Sequence, residues 1–227
     1  MHYLINHLPT AWALTVIHLR LSLVPVLAGL AIALPWGVVA WRTTALRRLT
    51  TVAASAVFTI PSLALFVVLP LLIPTRILDE ANVIVALTLY TTALLVRGVF
   101  EALDAVPLQV RDAAIAVGYR PFTRLVKVEL PLSIPVLVAG LRVVVVTNIS
   151  MVSVGAVIGI GGLGTWFTEG YQANKSDQIV AGILAIFVLA VIIDVALMFA
   201  GRIATPWVRV TRPGRRLLTA PVVGGSR

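Results

Sequence analysis

Mostly apolar stretches alternate with short polar ones along the whole chain. The apolar stretches run from about Leu21 to Trp41, Thr51 to Ile73, Ala81 to Phe100, Leu132 to Ile158 and Ile179 to Ala200. A hydrocarbon core of about 30 Å is crossed by roughly 20 apolar helical residues, so each stretch is long enough to be a span. The pattern predicts an all-α polytopic membrane protein with about five transmembrane helices. Long period-two alternation, the mark of a membrane β-barrel, is absent. Pro25, Pro35 and Gly37 fall inside the first span, where neighbouring helices can re-satisfy the freed carbonyls. Pro61 falls near the middle of the second and predicts a kink. The fourth stretch is longer than a bilayer requires, which predicts tilt or burial in a bundle.

The polar connections set the topology. Residues 1–20 are mixed, with Thr10 placed to cap a helix from Ala11 and Trp12 suited to a membrane interface. They read as an outer interfacial segment leading into the first span, and they lack the basic start and A-x-A site of a removed signal peptide. Arg42, Arg47 and Arg48 follow the first span, and an Arg-rich tail runs from 202 to 227. By the positive-inside rule both lie on the cytoplasmic side, which puts the N-terminus outside and the C-terminus inside. Residues 21–201 then form the transmembrane domain, and 202–227 form a basic, mostly disordered cytoplasmic tail.

The stretch PLQVRDAAIAVGYRPFTRLVKVELP, residues 107–131, is too charged for a bilayer and lies on that same inner side. Pro107 suits a first helical position and Gly118 the left-handed residue past a helix end, predicting a helix from Pro107 to Val117. Pro121 opens a second short helix and Pro131 is expected to stop it. Phe122, Leu125, Val126 and Val128 fall near one face of that second helix, with Arg124 and Lys127 off it. An amphipathic helix held between two spans is suited to pressing into another protein.

Asp112-Ala113-Ala114, three residues, Gly118, nine residues, then Val128-Glu129-Leu130-Pro131 resembles the EAA loop of ABC-importer permeases. Asp stands for the family's Glu and Val for its Ile. The resemblance implies a type I ABC-importer permease core in a bacterial inner or plasma membrane. It makes residues 101–131 a cytoplasmic coupling loop that docks on an ATPase, with Asp112, Ala113, Ala114, Gly118, Pro121, Phe122, Arg124, Leu125, Lys127, Leu130 and Pro131 as the coupling residues. It implies a cytoplasmic ABC ATPase dimer, a second permease subunit (self or similar) and an extracellular or periplasmic substrate-binding protein as partners. ATP and Mg would sit on the ATPase, and this chain would carry no cofactor.

Further stretches are similar to osmoprotectant permeases, those for glycine betaine, choline, carnitine and proline. They are Ile60 to Leu65, Ala139 to Arg142, Ile160 to Gly164 and Ile179 to Gly182. Methionine and other amino-acid permeases share the architecture and remain an alternative. An ATPase-independent secondary transporter is a more distant one, and no internal repeat supports it.

Composition narrows the rest. The 227 residues are 59% hydrophobic with no cysteine, which excludes disulfides, thiolate metal sites and a Cys nucleophile. The net charge of +9 sits at span ends and in the tail, so it reads as topology and not as a nucleic-acid surface. His2, His7 and His18 have no acidic neighbours and do not read as a metal site. No G-x-x-x-x-G-K-[ST] occurs, so nucleotide is not held by a P-loop here, and no catalytic constellation stands out. Arg142 and Asp194 each fall about 12–15 Å inside the membrane by helical rise. Charges at that depth call for a partner, and the two are expected either to pair or to face a wet cavity or a partner subunit. Asn148, Ser150 and Ser153 either line a polar passage or make hydrogen bonds between helices. Trp36, Tyr90, Trp166, Phe167 and Tyr171 are the aromatic candidates for a quaternary ammonium, or else interface-belt residues.

Overall fold

A computed structural model describes Tyr3, Leu4, residues 7–76 and residues 78–209. Among these residues every regular element is helical. The helices are α1 (Leu8–Trp41), α2 (Thr44–Thr59), α3 (Ser62–Leu72), α4 (Glu80–Asp104), α5 (Leu108–Ala116), α6 (Pro121–Arg124), α7 (Leu130–Gly155), α8 (Gly164–Gln172) and α9 (Ser176–Ala204). Four are long and apolar enough to cross a membrane, and the bent pair α2–α3 makes up to five.

α1 is longer than its apolar core requires. Thr10 does not start it; the helix begins at Leu8, with Pro9 in its first turn where a missing N–H costs nothing. Its 34 residues extend about 50 Å, so residues 8–20 and the first span are one continuous rod. α1 runs parallel to α4. Arg20 pairs with Glu80 near one end and Trp41 bonds Asp104 at the other. Gly29 and Gly37 make this parallel packing close. A Cβ on Gly29 would stand 2.4 Å from Thr91 Cγ2, and one on Gly37 2.8 Å from Val99 Cγ1.

The second span is broken and not merely kinked. α2 and α3 meet at 101°. The residue before a proline is pushed out of the helical region, and Ile60 is extended at φ −77°, ψ 125°. The carbonyl released at Ile60 accepts the Tyr90 hydroxyl from α4 at 2.5 Å, so the break is satisfied from inside the bundle.

Pro131 does not stop a helix either. α6 passes through one π-helical stretch, Leu125–Glu129, straight into α7. A proline ring clashes with the carbonyl four residues back, and widening the turn makes room for it. The Leu130 N–H accordingly reaches the carbonyl five residues back, at Leu125. The short amphipathic helix is therefore the rigid N-terminal end of the fourth span. Beyond α7 the chain turns through left-handed Gly159 (φ +83°), packs α8 against α9 and the end of α7, and returns through α9. α9 continues to Ala204 and is followed by a 3₁₀ turn at Pro206–Arg209, so the first residues assigned to the tail are helical. The remainder of the tail, 210–227, and His2 lie outside the described residues.

The buried core lies between α1, α4 and α7, around Ala33, Ala93, Val96, Val145 and Ile149. Its polar members are cross-braced. His18 Nε2 lies 2.9 Å from the Ile149 carbonyl, and Asn148 donates to Thr91 Oγ1 at 2.8 Å and to the Ser22 carbonyl at 3.3 Å. α9, by contrast, leaves most of its apolar length uncovered, including Ile183, Phe187 and Ile192.

Candidate functional site

Two regions bring the candidate residues together: the polar loop at the basic end of the bundle, and the seam between α7 and α9.

In the loop, α5 ends as the pattern predicts. Gly118 is left-handed at φ +88°, and its N–H reaches the Ile115 carbonyl at 2.9 Å. The next N–H, of Tyr119, reaches the Ala114 carbonyl at 3.0 Å, which completes a Schellman closure. No neighbour crowds a Cβ at Gly118, so the requirement there is backbone conformation and not space. The turn aims α6 away from α5, and the apolar residues sort into two sets. Leu125 is buried against Val99 and Leu103. Phe122 is 73% exposed, and Ile115, Val117 and Val126 are exposed with it. Asp112, Ala113, Pro121 and Lys127 are exposed around this patch, Ala114 is buried beneath it, and Leu130 and Pro131 are half-buried where α7 begins. Leu125 and Phe122 thus do different things: one anchors α6 to the bundle, the other is presented outward.

Beneath the patch is a charged linkage. Glu129 is 2% exposed and accepts from Arg124 Nε at 2.9 Å, with Arg111 Nε at 3.8 Å. A carboxylate this deep requires counter-charge, and the two arginines supply it from α5 and α6. The Arg111 guanidinium also donates to the Leu103 carbonyl and lies 4.8 Å from the ring centre of Trp41. Trp41 Nε1 donates to Asp104 Oδ1 at 2.8 Å, and Arg47 grips the same carboxylate at 3.3 and 2.6 Å. The loop is thereby joined through Trp41 to the ends of α1, α2 and α4. Sequence reasoning passed over Trp41, Arg47, Asp104 and Arg111 as elements of one network, because they come from segments up to 70 residues apart (Trp41 to Arg111). Glu129 gave one local signal, a lone acid in a V-E-L-P run with Arg124 five residues before it.

At the seam, Arg142 on α7 and Asp194 on α9 form a two-pronged ion pair, Nε to Oδ1 at 2.8 Å and an Nη to Oδ2 at 2.6 Å. Their side chains are 33% and 31% exposed, so the pair is not sealed into the bundle. Ser150 and Ser153 line a cleft of about 590 Å³ above it, together with Phe167, Phe187 and Asp194 itself. Asn148 does not join them; it is buried, and its amide nitrogen is engaged with Thr91 and Ser22. Of the aromatic candidates only Phe167 lines this cleft. Tyr90 and Trp166 are core residues, Trp36 bonds Thr50, and Tyr171 is exposed. Among the described residues no group of three or more His, Cys, Asp or Glu is placed to hold a metal.

The family described as "Binding-protein-dependent transport system inner membrane component" matches residues 26–210. Two bacterial relatives agree along nearly their full length. The osmoprotectant import permease protein OsmW of Salmonella typhimurium is 34% identical over 199 residues, 86% of this chain and 91% of that protein. The glycine betaine/carnitine/choline transport system permease protein OpuCB of Bacillus subtilis is 30% identical over 189 residues, 83% of this chain and 86% of that protein. Among solved structures, an inward-facing form of the MetNI methionine ABC transporter overlays with a TM-score of 0.72 at 28% identity. The overlay covers 87% of this chain and 97% of that one.

Proposed function

The chain belongs to the family of binding-protein-dependent transport system inner membrane components, and on that premise we propose that it is the permease subunit of an ATP-driven importer for osmoprotectants such as glycine betaine, carnitine, choline or proline. The observation that carries this reading is the near full-length similarity to permeases named for osmoprotectants, glycine betaine, carnitine and choline among them. Alongside it stands a loop that presents apolar residues outward from a rigid charged base.

The mechanism is alternating access. The end of the bundle bearing Arg42, Arg47, Arg48 and the loop faces the cytoplasm, and the Gly-rich turn before α8 faces outward. ATP and Mg are held by a separate ATPase dimer, whose surface receives Phe122, Val126 and their neighbours. ATP-driven closure of that dimer displaces α6. Because α6 and α7 form one helix, the displacement is delivered directly to the fourth span. The Glu129 and Trp41 contacts carry it to α1 and α4. A second permease copy, identical or similar, covers the exposed apolar length of α9 and completes the pathway. A separate binding protein delivers the solute to the outer face.

The chain is purified with its ATPase and binding protein, reconstituted, and assayed for ATP-dependent uptake of labelled glycine betaine, choline, proline and methionine. Uptake of an osmoprotectant without methionine supports the reading. Uptake of methionine alone supports the second reading, an amino-acid permease, which the overlay on MetNI favours.

A further inference from the structure

The ion pair divides one continuous seam into two clefts. Along α7, Val138, Arg142, Val146, Ser150 and Ser153 recur at helical spacing on the side that meets α9. Asp194 lines the 590 Å³ cleft toward the Gly-rich end, with Ser150, Ser153, Phe167 and Phe187. Arg142 lines a smaller cleft of about 180 Å³ toward the basic end, with Gly201, Arg202 and Thr205. The two members of the pair thus each line a different cleft, and the bonds between them lie where the two clefts adjoin. A fully charged pair left one-third exposed is poorly matched to hydrocarbon and calls for water or a polar group beside it, although the larger cleft is otherwise lined mostly by apolar side chains.

We propose that the Arg142–Asp194 pair is a selectivity gate that opens by exchanging its internal bonds for those of a small zwitterion, the carboxylate onto Arg142 and the quaternary ammonium onto Asp194. This rests on the osmoprotectant reading and extends it to the choice among such solutes. The chemistry is complementary at both ends. The guanidinium fork that grips Asp194 at 2.8 and 2.6 Å grips a substrate carboxylate in the same two-pronged way. A quaternary ammonium has no N–H to donate, so it is held by the Asp194 charge and by aromatic faces, and Phe167 and Phe187 stand in the same cleft. The exchange also conserves charge. A neutral pair plus a neutral zwitterion yields two new pairs and leaves no group unmatched. A cation without a carboxylate, such as choline, satisfies Asp194 but strands Arg142 inside the span, which is costly. The gate therefore favours zwitterions over simple cations.

The test uses the assembled transporter in vesicles, with binding protein and ATPase unchanged, so that any change in selectivity arises in this chain. Labelled glycine betaine and choline uptake are compared for wild type, Arg142→Gln and the neutral pair Arg142→Gln/Asp194→Asn. In Arg142→Gln the ratio of glycine betaine to choline uptake falls at least about tenfold, the scale of one lost charged hydrogen bond, with choline uptake held or raised. The double variant, which buries no lone charge and serves if the single one misassembles, loses the preference as well. If both solutes fall together with an unchanged ratio, or the ratio stays unchanged in the double variant, the pair is a structural lock and the gate is overturned. If the wild type moves neither solute, the osmoprotectant reading fails first and the gate with it.

Discussion

Trp41 is one of the points where the loop meets the bundle, and two substitutions separate its two contacts. Trp41→Phe keeps a ring beneath the Arg111 guanidinium but deletes the N–H bond to Asp104. A hydrogen bond to a charged group contributes about 1.5–3 kcal/mol. Asp104 is 44% exposed and keeps Arg47, so solvent screening brings the loss below that range, to about 1 kcal/mol. Trp41→Leu also removes the cation–π contact, worth about 0.5–1 kcal/mol at an exposed site, and part of the ring's packing. Its total is about 2 kcal/mol. For a chain of this size these translate to losses of about 2–4 °C and about 4–8 °C in Tm. The functional readout is ATP hydrolysed per solute imported by the reconstituted transporter. Hydrolysis without matching uptake rises in Trp41→Phe and rises further in Trp41→Leu. If Trp41→Leu is no worse than Trp41→Phe in both assays, Arg111 transmits nothing through the ring. If neither differs from wild type, the loop acts on the spans by another route.

Three further outcomes follow from the same geometry. Gly118→Val places a β-branched residue at φ +88°, costs about 1–3 kcal/mol and redirects α6; ATPase turnover persists while uptake is lost, and normal uptake would refute the role of the turn. Asn148→Leu leaves the Ser22 carbonyl and the Thr91 hydroxyl without their donor and lowers stability by about 1–3 kcal/mol. Adding Thr91→Val recovers part of the loss, and a strictly additive double variant in thermal melts argues against the shared bond. Tyr90→Phe deprives the Ile60 carbonyl of its partner at the α2–α3 break, lowering stability by about 1–3 kcal/mol, and an unchanged melt would mean that the break satisfies itself.

The spans were legible because apolar length is a local property of the sequence, and so was the turn at Gly118, whose chemistry lies within five residues. Prolines were harder to read. Pro61 breaks its span at a right angle, whereas Pro131 breaks nothing, and sequence predicted a kink for one and a stop for the other. The difference lies in what is available to receive the freed groups: a tyrosine hydroxyl thirty residues away in one case, a widened turn in the other. Arg142 and Asp194 were findable because hydrocarbon makes lone charges conspicuous. Trp41, Asp104 and Arg111 were not, since charges and aromatics at a span end are ordinary, and only folding brings these three together.

Because the chain contains no cysteine, a single cysteine reports without background. Phe122→Cys, with a matching cysteine in the facing surface of the ATPase, tests in right-side-out vesicles whether the loop docks on that ATPase from the cytoplasmic side. The expected result is a crosslink whose yield changes with ATP, and no labelling by a membrane-impermeant maleimide added outside. Labelling from the outside, with no crosslink in any nucleotide state, would contradict it.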